Sequence, residues 1–255
     1  MAGAREPGGV AIRRRPALAA GARPGVRELS AQATRESILR AAIRVFATHG
    51  YDGGRIEQIS RAAKSHDRMI YYYFGSKEGL FRAALGEIYR RFNEAESALE
   101  LDPSRPLDSL EEVVRFMWDY YRKHPEFIRL LNTENLLRGK HLSKSPRTRE
   151  YSSPAIGILD GVLAAGKASG AFREDIVARD VYLMIASLGY FYVANRYTLS
   201  AFLDEQMEAP AALAHWQRFI VDAVVRTVSA SGGRSSFGVA ERHAASDGEI
   251  VAQAS

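Results

Sequence analysis

Asp67-Arg68-Met69-Ile70-Tyr71-Tyr72-Tyr73-Phe74-Gly75-Ser76-Lys77 places three consecutive tyrosines ahead of a glycine and a lysine. Neighbouring residues on a helix point about 100° apart, so three in a row cannot all face one interior. At least one phenol must look outward, with the Lys77 ammonium a turn beyond. A short helix of this kind can pack one face on its own domain and offer the other to a phosphate backbone. An ordinary exposed aromatic patch has the same pattern.

The preceding residues narrow the choice. From Thr34 to Thr48, Ile38, Ala41, Ala42, Val45 and Phe46 recur at helical spacing and form one apolar stripe. Thr34 is a candidate N-cap and Gly50 a candidate C-cap. After the turn Tyr51 to Gly54, a second helix over Ile56 to Ala63 repeats the stripe through Ile56, Ile59, Ala62 and Ala63. Lys64 to His66 alone separates it from a third helix over Asp67 to Phe74. Three helices, the last two joined by a short turn, form a helix-turn-helix. Ser76 then caps a fourth helix.

Charge points the same way. Through Lys77 the chain has 14 Lys+Arg against 6 Asp+Glu, a balance of +8; the remainder has 21 against 24, or −3. A basic front suits a polyanion, and a merely solvated basic surface is the alternative.

The segment from residue 34 to 81, ending Tyr-Tyr-Tyr-Phe-Gly-Ser-Lys-Glu-Gly-Leu-Phe, resembles the DNA-binding domain of the tetracycline-repressor (TetR) family. That resemblance implies that the start of the third helix reads base edges and that the residues behind it grip phosphates. Carried over by position, Asp67, Arg68, Met69 and Tyr71 face the major groove. Tyr72, Tyr73 and Lys77 contact the DNA backbone, helped by Thr34 and by Arg55 at the start of the second helix. A phenol can donate to a phosphate oxygen, lysine supplies a point charge, and arginine can hold guanine bidentately. Ile70 and Phe74 are expected to face the first two helices. Some positions depart from the family pattern. Lys64-Ser65 replaces the usual Gly-Val of the turn, Met69 replaces a threonine, and Arg55 stands where a Ser or Thr often caps. These departures fall on the turn, on the base-reading helix and at the start of the second helix, and leave the fold expectation intact.

Beyond residue 81 the periodicity stays helical. Helices are predicted over Glu78 to Leu99, Leu107 to Lys123, Glu126 to Arg138, Pro154 to Ser169, Ala178 to Thr198 and Pro210 to Ala230, with Gly139 to Ser153 a polar, basic loop. The fold class is therefore all-α, with about nine helices. It divides into a basic extension over residues 1–30, expected to be disordered, a helix-turn-helix domain over 31–81, a helical domain over 82–230 and a disordered tail over 231–255. Arg13-Arg14-Arg15 in the extension fits a solvated tail, an arm for DNA, or part of an Arg-rich transit peptide.

The eighth helix carries Tyr182, Leu183, Met184, Ile185, Leu188, Tyr190, Phe191, Tyr192 and Val193, apolar nearly all round, and the ninth has a broad stripe from Leu213 to Val228. A helix apolar on every side must be buried on every side. The resemblance implies that these two helices form a four-helix bundle with a second copy; completing the monomer core is the alternative. It also implies a pocket for a small-molecule effector. Candidate lining residues are Phe116, Tyr120, Phe127, Asn132, Asn135, Tyr182, Tyr190 and Asn195, polar groups or rings amid apolar neighbours. Each could equally be a satisfied core or interface residue. Arg138 and Arg196 would suit an aromatic acid as effector.

The chain has no cysteine, which excludes disulfides and thiolate chemistry, and its longest apolar run, Val181 to Ala194, is too short to span a bilayer. No paired carboxylates, phosphate-binding glycine loop or nucleophile elbow points to catalysis, and the six histidines lack ligand spacing. The expected protein is not an enzyme and uses no cofactor or metal. It is a cytoplasmic, nucleoid-associated dimeric repressor of double-stranded DNA, released by a small molecule. The alternatives are an all-α enzyme or lipid-binding protein with an incidental basic front, and an effector-independent regulator or activator of the same family.

Overall fold

The computed structural model describes residues 26–143 and 155–230. The Arg13-Arg14-Arg15 run, most of the loop after residue 143 and the tail from 231 lie outside these residues. Nine helices make up the described chain: α1 (Val26–Gly53), α2 (Ile56–Ala62), α3 (Asp67–Phe74), α4 (Lys77–Ser97), α5 (Pro106–Lys123), α6 (Pro125–Leu136), α7 (Ala155–Ala168), α8 (Ala178–Leu203) and α9 (Pro210–Val228). Among the described residues none is long and apolar enough to cross a membrane.

The main correction to the expected boundaries concerns α1. It starts at Val26, so residues 26–30 of the expected extension are helical, and Thr34 is no N-cap. The Thr34 hydroxyl instead donates back to the Ser30 carbonyl at 2.9 Å, inside the helix. Val-Arg-Glu-Leu-Ser-Ala-Gln-Ala contains no breaker, so nothing stops the helix running back from Thr34. Its other end behaves as expected. Gly50 leaves helical geometry with φ 68° and ψ −176°, and Tyr51–Gly53 form a separate last turn.

Ile38, Ala41, Ala42 and Phe46 on α1 are fully buried and meet Ile59 of α2, Ile70 of α3, and Leu80 and Phe81 of α4 in one core. The Ser37 hydroxyl donates to Ala63 O at 3.1 Å and ties the end of α2 to α1. Lys64 then adopts a left-handed conformation, φ 51°, which turns the chain into α3. At the far end of α3, Gly75 has φ 75°, and Ser76 caps α4 by accepting from Gly79 N at 3.0 Å. Gly79 is required there, because a Cβ would lie 2.1 Å from Phe74 O.

Helix α4 leaves this unit and packs on α6 and α7. In the C-terminal unit α5 is central, packed on α7, α8 and α9, with Val113, Val114, Met117 and Trp118 buried. Pro106 and Pro125 occupy first turns, where their missing N–H is not needed. An isolated bridge between Phe172 and Ser229, through Arg173 N to Val228 O and Ala230 N to Ala171 O, both 2.9 Å, holds the end of α9 to the α7–α8 link.

Candidate nucleic-acid interface and effector cavity

Helix α3 is held from behind by Ile70, which is fully buried, while Tyr71 and Tyr72 are 51% and 77% exposed. Two adjacent large aromatic side chains left this open form an exposed patch of the kind that binding surfaces use. Arg68, between them and the helix start, is also exposed; Asp67 and Met69 are half-buried. Tyr73 is half-buried with its ring edge-on to Tyr72 at 5.0 Å. Phe74, expected in the core, is also half-buried and carries the Arg35 guanidinium 5.1 Å above its ring. The three tyrosines thus divide as two outward and one partly inward.

Lys77 opens α4 beside this face. Its ammonium donates to Asp52 O at 3.1 Å and lies 5.0 Å over the Tyr51 ring, so it is tied to the turn that ends α1. Burial raises the pKa of the Tyr51 phenol, with Glu78 and Asp52 adding to the shift. Arg55, exposed, is the N-cap position of α2, and its backbone N–H donates to Gln58 Oε1 at 3.0 Å. Arg55, Arg68, Tyr71, Tyr72 and Lys77 therefore sit on the starts and outer faces of successive helices of one compact unit. Thr34 stands within α1, its hydroxyl turned back to Ser30 O.

A cavity of about 460 Å³ lies between α4, α5, α6, α7 and α8. Of the expected lining residues, Phe127, Tyr182 and Tyr190 face it. Asn132 stands behind Tyr190 and accepts its hydroxyl. Burial raises the Tyr190 pKa, and a hydrogen bond with Asn135 offsets part of the shift.

The remaining candidates lie elsewhere. Phe116 stacks on Phe92 at 6.1 Å and lines a separate cleft with Leu99 and Asp119. Tyr120 is buried against His124 at 4.1 Å, and burial pushes its phenol up to about 12. Asn195 bonds back to Phe191 O within α8. Arg138 and Arg196 are not on the cavity either; Arg196 is paired with Glu208 at 2.8 Å. The cavity instead uses Tyr89, Phe92, Tyr121, Leu131 and Ser187, which the sequence reading passed over. Tyr89 and Phe92 belong to α4, which runs on from the DNA-binding unit. Tyr121 differs from Tyr120 only by helical phase, and its burial pushes the phenol well above its ordinary range.

A compact helix-turn-helix on a helical domain with an internal cavity defines a class of bacterial DNA-binding regulator. The family model described as "Bacterial regulatory proteins, tetR family" matches residues 38–84, and "Tetracyclin repressor-like, C-terminal domain" matches 106–224. The HTH-type transcriptional repressor NicS of Pseudomonas putida is 53% identical over 202 residues, covering 79% of this chain and 95% of that protein. The HTH-type transcriptional repressor SCO4008 of Streptomyces coelicolor is 27% identical, covering 64% and 79%. Two solved structures share the fold. The regulator SCO4942 of Streptomyces coelicolor has a TM-score of 0.57 at 24% identity, covering 76% of this chain and 98% of that one. A TetR-family regulator of Mesorhizobium loti has a TM-score of 0.53 at 16% identity, covering 78% and 98%. The chain belongs to the TetR family of transcriptional regulators, which bind DNA and are not enzymes.

Proposed function

We propose that the chain is a dimeric transcriptional repressor acting in the cytoplasm on the nucleoid. In this reading it binds a roughly palindromic operator and is released when a small molecule fills the cavity. The observation that carries the DNA-binding side is the exposed Arg68–Tyr71–Tyr72 face of α3, with Lys77 beside it, on a helix anchored from behind by the fully buried Ile70. Arg68 and Tyr71, with Asp67 and Met69, read base edges. Tyr72, Tyr73, Lys77 and Arg55 hold phosphates, with Thr34 flanking.

The dimer reading rests on apolar side chains left open on α8 and α9, among them Leu183, Phe191, Phe202 and Phe219. A two-fold pair sets its two α3 helices about 34–36 Å apart, in successive major grooves. The effector reading rests on the cavity, whose volume suits a small molecule and whose Tyr182, Ser187 and Tyr190 offer hydrogen-bonding groups amid apolar walls. A ligand that binds better in the DNA-incompetent arrangement shifts the population away from DNA. The repressor named NicS, at 53% identity, favours repression over activation.

The test is a gel shift with the DNA upstream of the protein's own gene, at moderate salt and with competitor DNA. A specific shift at an inverted repeat is expected; no shift on any upstream fragment would overturn the reading.

A further inference from the structure

We propose that the buried Glu134–His141 pair positions Lys77 for phosphate contact, acting through the Tyr51 ring. The inference rests on the reading of Lys77 as a phosphate contact given above.

Helix α6 ends at Leu136, and Arg138 (φ 58°) and Gly139 (φ 68°), two left-handed residues in succession, turn the chain back. That return puts His141 beside Glu134 in the last turn of α6; the two are 1% and 2% exposed. The carboxylate accepts from His141 N at 2.6 Å, from Leu142 N at 2.9 Å and from His141 Nδ1 at 2.8 Å. A buried carboxylate is tolerated when it is bonded in this way. Because a carboxylate only accepts, Nδ1 carries the proton, and the imidazole is fixed by both its backbone and its ring.

The fixed ring packs against Tyr51 at 4.7 Å and Phe81 at 4.9 Å between centroids. Tyr51 follows the helix break at Gly50, in a turn closed by one backbone bond, Gly54 N to Gly50 O at 3.2 Å, and its ring is seated by packing on Phe46, Phe81 and His141. Lys77 depends on that turn twice, through the Tyr51 ring and through Asp52 O. Packing alone does not account for a histidine here. Among the described residues the buried His141 Nε2 has no hydrogen-bond partner, a cost that an apolar side chain filling the same seam would avoid. Leu131 of the cavity wall lies one turn before Glu134, so the cavity and the seat of Tyr51 belong to one rigid helix.

The experiment measures binding of the full-length protein to a mixed-sequence DNA duplex over a range of salt, since a phosphate contact needs no operator. Four proteins are compared: wild type, Lys77→Ala, His141→Leu and the double variant. Lys77→Ala should lower the slope of log K against log salt by about 1. His141→Leu should lower it in the same sense and weaken low-salt binding by roughly tenfold, the order of one charge-assisted contact. The double variant should match Lys77→Ala alone. Additive losses, or an unchanged slope in His141→Leu, would overturn the inference and leave Lys77 a phosphate contact. An unchanged slope in Lys77→Ala would remove Lys77 from the DNA surface and the inference with it. Should His141→Leu not fold, Tyr51→Leu removes the ring that links His141 to Lys77 and leaves the Glu134–His141 hydrogen bonds in place, and an unchanged salt slope in that variant would overturn the inference.

Discussion

Lys64 holds a left-handed backbone, φ 51°, between α2 and α3, at a position where a Cβ is unwelcome. Such a conformation costs a non-glycine residue roughly 1 kcal/mol, and glycine recovers most of it while adding freedom to the unfolded chain. Lys64→Gly should therefore be neutral or stabilising by up to about 1 kcal/mol. The check is the urea midpoint at constant m-value, and a clear fall would show that the Lys64 side chain itself supports the turn. The sequence made this residue visible because a charge stood where the family often has glycine. It did not reveal the split among the tyrosines, which depends on how far α3 sinks onto Ile70. Arg68, exposed at the start of α3, carries a separate expectation. Arg68→Ala should relax preference at one base position, worth about 1–3 kcal/mol against the wrong base, while leaving other positions alone. Selection of binding sites from a random library measures this, and an unchanged profile removes Arg68 from the readout.

At the level of helices, apolar periodicity located every one of the nine among the described residues, and α3 begins and ends where the pattern placed it. Boundaries shifted where the signal was a single capping residue, as at Thr34, because a good helix-forming stretch upstream overrode it. The cavity was less legible. Adjacent tyrosines such as Tyr120 and Tyr121 have the same chemistry, and only the packed phase of α5 decides which one faces inward. Glycines in α7 show how the same residue type can serve opposite ends. A Cβ on Gly166 would lie 1.9 Å from the ring of Phe172, which is fully buried and has nowhere to move. A Cβ on Gly161 would meet nothing within 4 Å. Gly161→Ala should stabilise by about 0.5–1 kcal/mol through helix propensity. Gly166→Ala should destabilise by about 1–3 kcal/mol despite the same propensity gain, because the overpacked ring must shift. Paired urea melts decide it, and equal signs for the two variants would refute the packing account.

Across the whole molecule, the property a lone chain reveals least is its association, yet the apolar surface of α8 and α9 constrains it. Phe191 on α8 is 57% exposed, and Phe219 on α9 is 47% exposed while stacked on Trp216 at 4.9 Å. Several such side chains on two neighbouring helices are what the proposed two-fold pair would cover, since a closed pair uses the same patch on both copies. The sequence made α8 conspicuous because it is apolar nearly all round, but it could not separate the side buried on α5 from the side left open. Introducing charge on the open side tests the arrangement without disturbing the core. A Phe191→Glu/Phe219→Glu double variant should keep its helical circular dichroism and sediment as a monomer, since each glutamate would be desolvated in a buried interface. Its affinity for an intact inverted repeat should fall by roughly 10²–10⁴, the gain that linking two half-site contacts confers. Its affinity for an isolated half-site should stay at the wild-type value, because α3 and its supporting helices are untouched. A wild-type protein that sediments as a monomer would refute the dimer, and a double variant that remains dimeric and binds the inverted repeat as before would place the association surface elsewhere than α8 and α9.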